Sequence, residues 1–475
     1  MKSFLSAVTV IILLIMTGCE KSKESPVITP PQASNVETGR SVDLTFVFKA
    51  EAGFGSSEII ATGGDAVIKS DGSSGSVSGN IVVTFTAGTT TGSGSVSVTV
   101  EDMEGQRGTS AVAIVIEEVP TISVSSNITQ NQTWESGNIY ILEGRITVLP
   151  DVTLTIEPGV IVKGREGSEA NATALLIARG GILMAEGTPE APIIFTSVSD
   201  RIIPGQIESP NLASNINGLW GGVLILGKAP ISADAEAMQI EGIPASDLNG
   251  LYGGSDPADN SGVLKYISIR HGGANIGEGN EINGLTLGGV GSGTTIENIE
   301  IVANQDDGIE FFGGTVNVKN VVVLNTGDDA IDTDQSWNGS LDNCIIINPG
   351  DECFELDGPE GAMAAKHTIS NASISAGNAE GLVDLDPNSY LDMNNIYFFN
   401  LKAGQDFDEL PTMYSCNFTN FQVTLPSGSV LTDFFKGGSD QFTTAVSSGA
   451  NTVGADKTEF TGWSWTEVSG SLSDF

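Results

Sequence analysis

A hexapeptide that returns every 22 or 23 residues constrains this chain more than any other feature. Asp306-Asp307-Gly308-Ile309-Glu310-Phe311 is followed 22 positions on by Asp328-Asp329-Ala330-Ile331-Asp332-Thr333, and 23 further by Asp351-Glu352-Cys353-Phe354-Glu355-Leu356. A second track runs beside it: Thr295-Ile296-Glu297-Asn298-Ile299, Val316-Asn317-Val318-Lys319-Asn320-Val321, Leu341-Asp342-Asn343-Cys344-Ile345 and Ile369-Ser370-Asn371-Ala372. Gly288-Gly289, Gly313-Gly314 and Asn338-Gly339 mark recurring corners. A unit of this length, with short strands and Gly or Asn corners, is one coil of a right-handed parallel β-helix. Leucine-rich repeats share the period but need a regular leucine framework, which is absent here.

Coils stack at ~4.8 Å, so equivalent asparagines are expected to form a hydrogen-bonded ladder inside a turn. Strand alternation sends Ile309, Phe311, Ile331, Thr333, Phe354 and Leu356 inward and Glu310, Asp332 and Glu355 outward. Less regular strands from Ile139 onward extend the solenoid over 119–438. Residues 200–218 and 230–262 lack the alternation and read as excursions, so 200–262 is the expected ligand-docking region, with Trp220 and Tyr252 as aromatic platforms. Residues 439–475, with Trp463 and Trp465, read as a cap over an open β-helix end.

Ahead of the solenoid, residues 38–118 alternate with period two in Val42–Phe48, Ile81–Phe85, Ser95–Val100 and Ala111–Ile116, separated by Gly/Ser clusters. That pattern predicts an immunoglobulin-like β-sandwich. Residues 20–37, with Pro26, Pro30 and Pro31, read as a linker. Residues 1–19 carry Lys2, an apolar run from Leu5 to Met16, and Met16-Thr17-Gly18-Cys19. The run is too short to span a bilayer, and the tetrapeptide resembles a bacterial lipobox, which makes Cys19 the expected lipidation site and lipid anchor. Lys plus Arg number 20 against 59 Asp plus Glu, a formal charge of −39, which sets nucleic-acid binding aside. With only two histidines, His271 and His367, a multi-histidine metal centre is excluded. Cys344, Cys353 and Cys416 read as core filling, with a Cys344–Cys353 disulfide as the alternative.

Several stretches between residues 133 and 360 resemble the β-helical surface lipoproteins of the Bacteroidetes. They are Leu154-Thr155-Ile156-Glu157-Pro158-Gly159, Ala178-Arg179-Gly180-Gly181, Ala185-Glu186-Gly187-Thr188 and Trp220-Gly221-Gly222 with Leu226-Gly227-Lys228. Tyr252-Gly253-Gly254-Ser255-Asp256-Pro257, Asp259-Asn260-Ser261-Gly262-Val263, Asn280-Glu281-Ile282-Asn283-Gly284, Gly288-Gly289-Val290-Gly291-Ser292-Gly293 and Gln305 to Thr315 complete the set. The resemblance implies a β-helix, an outer-membrane, cell-surface location and association with TonB-dependent receptors. It carries no catalytic residues with it.

From His271 to Glu360 there are 17 acids and one lysine, a net of −16. Like charges ~4.8 Å apart repel by roughly 1 kcal/mol in water and about 3.5 kcal/mol at an effective dielectric near 20. Solvation, raised carboxyl pKa values or bound cations must offset this. Oxygen-rich clusters suit Ca²⁺, and the expected ligands are Asp306, Asp328, Asp329, Asp332, Asp334, Asp351, Glu355 and Asp357. A solvated acidic face is the competing reading. The preferred function is a non-catalytic, lipid-anchored protein presenting a binding surface, accessory to an outer-membrane receptor. The alternative is a carbohydrate-active enzyme, lyase or hydrolase, acting on a polysaccharide; an adhesin is a third. Asn304-Gln305-Asp306 with Asp328-Asp329 resembles the aspartate set of polygalacturonases. The chain departs from that family in order, because His271-Gly272-Gly273 precedes the paired aspartates, and in lacking a downstream basic triplet. Lyase chemistry would need Lys319 or Lys366 as base, and neighbouring carboxylates hold a lysine's proton more tightly.

Overall fold

The computed structural model describes residues 23–167, 172–274, 282–407 and 409–475. Residues 1–19, expected to be a targeting segment, and Cys19, the expected lipidation site, lie outside the described residues. The chain divides into two units, with the break between Glu118 and Val119.

The first unit is an all-β sandwich of two four-stranded sheets. Alternation buries Leu44, Phe46, Phe48, Ile81, Val83 and Phe85 from one sheet against Val96, Val98, Val100, Val112, Ile114 and Ile116 from the other. The stretch read as a linker differs from that expectation. Val27–Thr29 pairs antiparallel with Val47–Lys49, and Ser34–Glu37 pairs parallel with Ile114–Glu117. Both segments are edge strands, where proline's missing N–H costs no ladder bond, and Ile28 and Val36 reach the core.

The second unit is the parallel β-helix. A short sheet runs through Ile146–Val148, Leu175–Ile177, Val223–Leu226, Leu285–Gly288, Ile309–Phe312, Ile331–Asp334, Phe354–Leu356 and Asp384–Leu385, all in parallel register. A long sheet carries the other two faces, joined at a corner inside strands such as Thr295–Val302, Asn317–Leu324 and Ser340–Ile347. At that corner Asn298, Asn320, Asn343, Asn371, Asn395 and Asn420 all take left-handed φ between 56° and 65°, which Asn tolerates better than other side-chain-bearing residues. The ladder forms: Asn343 Nδ2 donates to Asn320 Oδ1 at 2.8 Å and Asn395 Nδ2 to Asn371 Oδ1 at 2.9 Å.

The core follows the alternation read from the repeat. Ile309, Phe311, Ile331, Phe354 and Leu356 are fully buried. Phe311, Trp337 and His367 stack with centroid separations of 4.0 and 5.1 Å, and burial lowers the His367 pKa to about 3. Cys344 and Cys353 are free thiols in the core, and Cys416 is also free.

Residues 439–475 behave differently from a simple end cap. The end of the core is closed by Phe434, Phe435 and Phe442 around Phe407 and Phe421. Thr443–Ala445 adds one more rung to the long sheet. The chain then runs back across the coils. Thr452 N–H donates to Gln422 Oε1 at 2.7 Å, Asp456 N–H to Asn343 Oδ1 at 2.6 Å, and Thr466 N–H to Glu300 Oε1 at 2.8 Å. Trp463, Trp465 and Leu472 thereby cover Val302, Val322, Leu324, Ile345 and Ile347, apolar groups that point out of the solenoid. Covering that apolar side face accounts for the return path.

Candidate active site on the acidic face

Parallel register turns one outward position of the short sheet into a column: Thr147, Leu176, Leu224, Thr286, Glu310, Asp332, Glu355 and Asp384. The excursion at 230–262 lies over its first half, packing Ile231, Ile240, Ile243 and Tyr252 with Leu176, Leu224 and Leu226. The second half is carboxylates.

Three trios of carboxyl oxygens, each within 4.8 Å of one another, form where coils stack: Asp306/Asp307/Asp328, Asp307/Glu310/Asp332 and Asp328/Asp329/Asp351. Asp306 and Asp328 are half-buried and Asp351 is exposed, whereas Asp307, Glu310, Asp329 and Asp332 are buried. Backbone N–H groups tie the column entering the strands, from Asp329 to Asp307 Oδ1 at 3.0 Å and from Glu352 to Asp329 Oδ1 at 2.6 Å. Asn283 Nδ2 donates to Glu310 Oε2.

These environments favour the neutral acids. Burial first, and neighbouring carboxylates second, hold Asp307, Glu310 and Asp332 well above the ordinary carboxylate range. Burial and a hydrogen bond with Glu355 raise Asp329. At the margin of the face, burial and like charges raise Asp334 and Asp357 to about 7 and Glu352 to about 8.

Of the residues expected to hold a metal, the structure gathers Asp306, Asp328, Asp329, Asp332 and Asp351 into the three trios. Asp334, Glu355 and Asp357 belong to the same face but to none of those trios. Asp307, Glu310 and Asn283 were missed as site residues. For the two acids the signal was present, since each occupies a repeated position of the hexapeptide. For Asn283 there was none, because its relation to Glu310 exists only after the coils stack.

The aromatic platforms are corrected. Trp220 is 0% exposed and its Nε1 donates to Arg270 O at 2.8 Å. Tyr252 is 2% exposed, packs on Phe312 at 5.7 Å between centroids and donates to Gln335 Oε1 at 3.1 Å. Both are occupied in holding the excursions and coils together. The lysines also lie elsewhere. Lys319 is on the long sheet, in register between Glu297 and Asp342, and Lys366 pairs with Asp392 at 2.6 Å.

Residues 126–466 match the family described as the pectate-lyase-like beta helix domain. The chain belongs to that family. No curated protein matches it. Among solved structures, it is similar to the family 28 exopolygalacturonase of Yersinia enterocolitica, with 12% identity over 89% of this chain and 90% of that one, at a TM-score of 0.21. It is also similar to the catalytic unit of a GH87 alpha-1,3-glucanase from Streptomyces thermodiastaticus strain HF3-3, with 10% identity over 91% and 89%, at a TM-score of 0.28. The expectation of a non-catalytic surface accessory to a receptor is corrected by the family, which is the pectate-lyase-like beta helix.

Proposed function

We propose that this protein is a carbohydrate-active enzyme, a glycoside hydrolase that cleaves a polysaccharide on the acidic face of the β-helix. The carrying observation is the convergence of Asp306, Asp328 and Asp329 from successive coils, with Asp328 within 4.8 Å of each of the other two at the carboxyl oxygens. Membership of the pectate-lyase-like family supports the broader part of this reading, a carbohydrate-active enzyme. Glycosidic cleavage needs one carboxylic acid to protonate the leaving oxygen and one carboxylate to activate water or attack the sugar. Asp329, kept neutral by burial, is the proton donor, and the half-buried Asp306 and Asp328 are the carboxylates that meet the sugar. Hydrolysis is favoured over lyase chemistry because the candidate lyase bases lie off the acidic face: Lys319 is on the long sheet, and Lys366, beside it, pairs with Asp392 at 2.6 Å.

The reading is tested by reducing-end release from a panel of neutral and acidic polysaccharides. Asp328→Asn and Asp329→Asn should each lower turnover by about 10²-fold or more while leaving the fold intact. Unsaturated products would instead mark a lyase, and turnover equal to the parent's in both variants would remove the assignment. We further propose that Cys19 anchors the enzyme to the outer membrane; Cys19→Ala should then appear in the soluble fraction without lipid label.

A further inference from the structure

Residues 214–218, the last part of the first excursion, are pinned to the turns that lead into Asp306 and Asp328. Asn325 Nδ2 donates to Ser214 O at 2.8 Å, and Asn217 Nδ2 reaches Asn304 O at 3.4 Å. Gly218 N–H donates to Gly272 O at 2.7 Å and Leu219 N–H to His271 O at 3.0 Å. His271 Nδ1 meets Ile216 O; a carbonyl only accepts, so this nitrogen carries the proton. Gly218 has a φ of 69°, and a Cβ there would come within 2.2 Å of Gln305 Oε1, so the Gln305 side chain lies directly against the excursion. Asn304 and Gln305 immediately precede Asp306, and Asn325 stands three residues before Asp328.

The neighbouring coils anchor this segment through groups that contribute little to stability. His271 takes a left-handed φ of 60°, uncommon for a residue with a ring. Beside it Arg270 and Glu300 form an ion pair at 3.4 Å with both side chains 0% exposed. Arg270 donates to Ile207 O of the excursion, Glu300 Oε1 accepts from Thr466 N–H and Oγ1 at 2.8 Å each, and the Trp465 ring covers the guanidinium at 5.0 Å. Desolvation cancels most of the attraction in such a pair, so its effect is to fix position. What it fixes is an exposed polar surface: Asn215, Ile216 and Gln305 are exposed and Asn217 is half-buried, and residues 209–227 include no charged side chain.

We propose that Asn215, Asn217 and Gln305 form a sugar-binding wall beside Asp306 and Asp328 and take an uncharged, hydroxyl-bearing unit of the polysaccharide. The inference rests on the hydrolase reading of the acidic face and narrows its substrate to a neutral glycan. An amide presents both a donor and an acceptor, which matches a sugar hydroxyl that does the same. A uronate would instead bring a further negative charge to Asp306 and Asp328 beside a wall without a cation.

The test uses the full chain carrying Asp328→Asn, which leaves a glycan uncut, in affinity gels containing dextran, laminarin, galactan, arabinan or polygalacturonate. At least one neutral polysaccharide should retard it, and polygalacturonate should not. Adding Asn215→Ala, Asn217→Ala or Gln305→Ala should weaken that binding roughly threefold to tenfold, the range of one hydrogen bond. Asn215 and Gln305 are exposed, so their variants should lose affinity while unfolding at the parent's temperature. With Asp328 restored, the same substitutions should raise KM by that factor and leave kcat within about twofold. No retardation by any neutral polysaccharide, retardation by polygalacturonate, or unchanged affinity in all three variants would overturn the inference. Binding that the variants weaken, with no product released by the parent, would overturn the hydrolase reading and keep the wall as a glycan-binding site.

Discussion

Two halves of one outward column on the short sheet have opposite chemistry. Leu176 and Leu224 lie under the excursion at 230–262, in a dry cluster with Ile240, Ile243 and Tyr252. Two coils beyond Leu224, at equivalent positions of the same pleat, stand Glu310, then Asp332 and Glu355. Backbone register and pairing are alike throughout, so the scaffold does not choose the residue. What lies over the coil does. Against the apolar excursion a position must be apolar, because a charge buried there without a partner is costly, whereas Glu310 and Asp332 are buried among other carboxyl groups and Asn283. The acidic half carries carboxyl groups that burial and neighbouring acids hold above the ordinary range.

The comparison breaks most visibly if the chemistry of one half is transplanted into the other. Leu224→Asp places a carboxylate in the apolar cluster of Leu176, Leu226, Ile240, Ile243 and Tyr252. A loss of about 3–5 kcal/mol is expected in denaturant unfolding. A loss below 1 kcal/mol would mean that the excursion lifts away, and that the two halves differ less than the packing implies.

A smaller effect should appear with pH. Glu352 and Asp357 titrate in the folded chain at about 8 and about 7, above their ordinary values of 4.5 and 3.8. The folded state therefore holds more protons than the unfolded chain between these limits, and stability must rise as pH falls. In EDTA, thermal unfolding should occur at a higher temperature at pH 5.5 than at pH 8.5, the advantage disappearing as pH rises through 7 to 8. The reverse order would show that these carboxyls are ionised and compensated in the folded protein. The smallest effect belongs to the seam between the halves. Tyr252→Phe removes the hydrogen bond to Gln335, which in turn donates to Glu360 at 3.2 Å. A cost of about 0.5–1.5 kcal/mol is expected from denaturant titration.

Much of this was legible before any coordinates. The repeat at Asp306, Asp328 and Asp351 announces coils that stack in parallel, and period-two alternation says that Glu310, Asp332 and Glu355 leave the core together. The asparagine corner is equally local, because a left-handed residue every coil calls for Asn or Gly. Trp220 and Tyr252 were misread because exposure is not a property of an aromatic residue in a loop. Loops that fold back on the solenoid bury the rings they carry. His367 is stacked on Trp337 inside the core, a contact between coils that no spacing reveals.

The sequence by itself determined the solenoid, its parallel stacking and the asparagine ladder, since each follows from a short period repeated at fixed spacing. Only the tertiary structure decided which part of the outward column is covered, which acids meet in threes, and that Asn283 turns its amide toward Glu310. Those outcomes depend on where the excursions and the C-terminal return come to rest. Their placement is set by apolar area summed over residues far apart in the chain, and no local pattern encodes it.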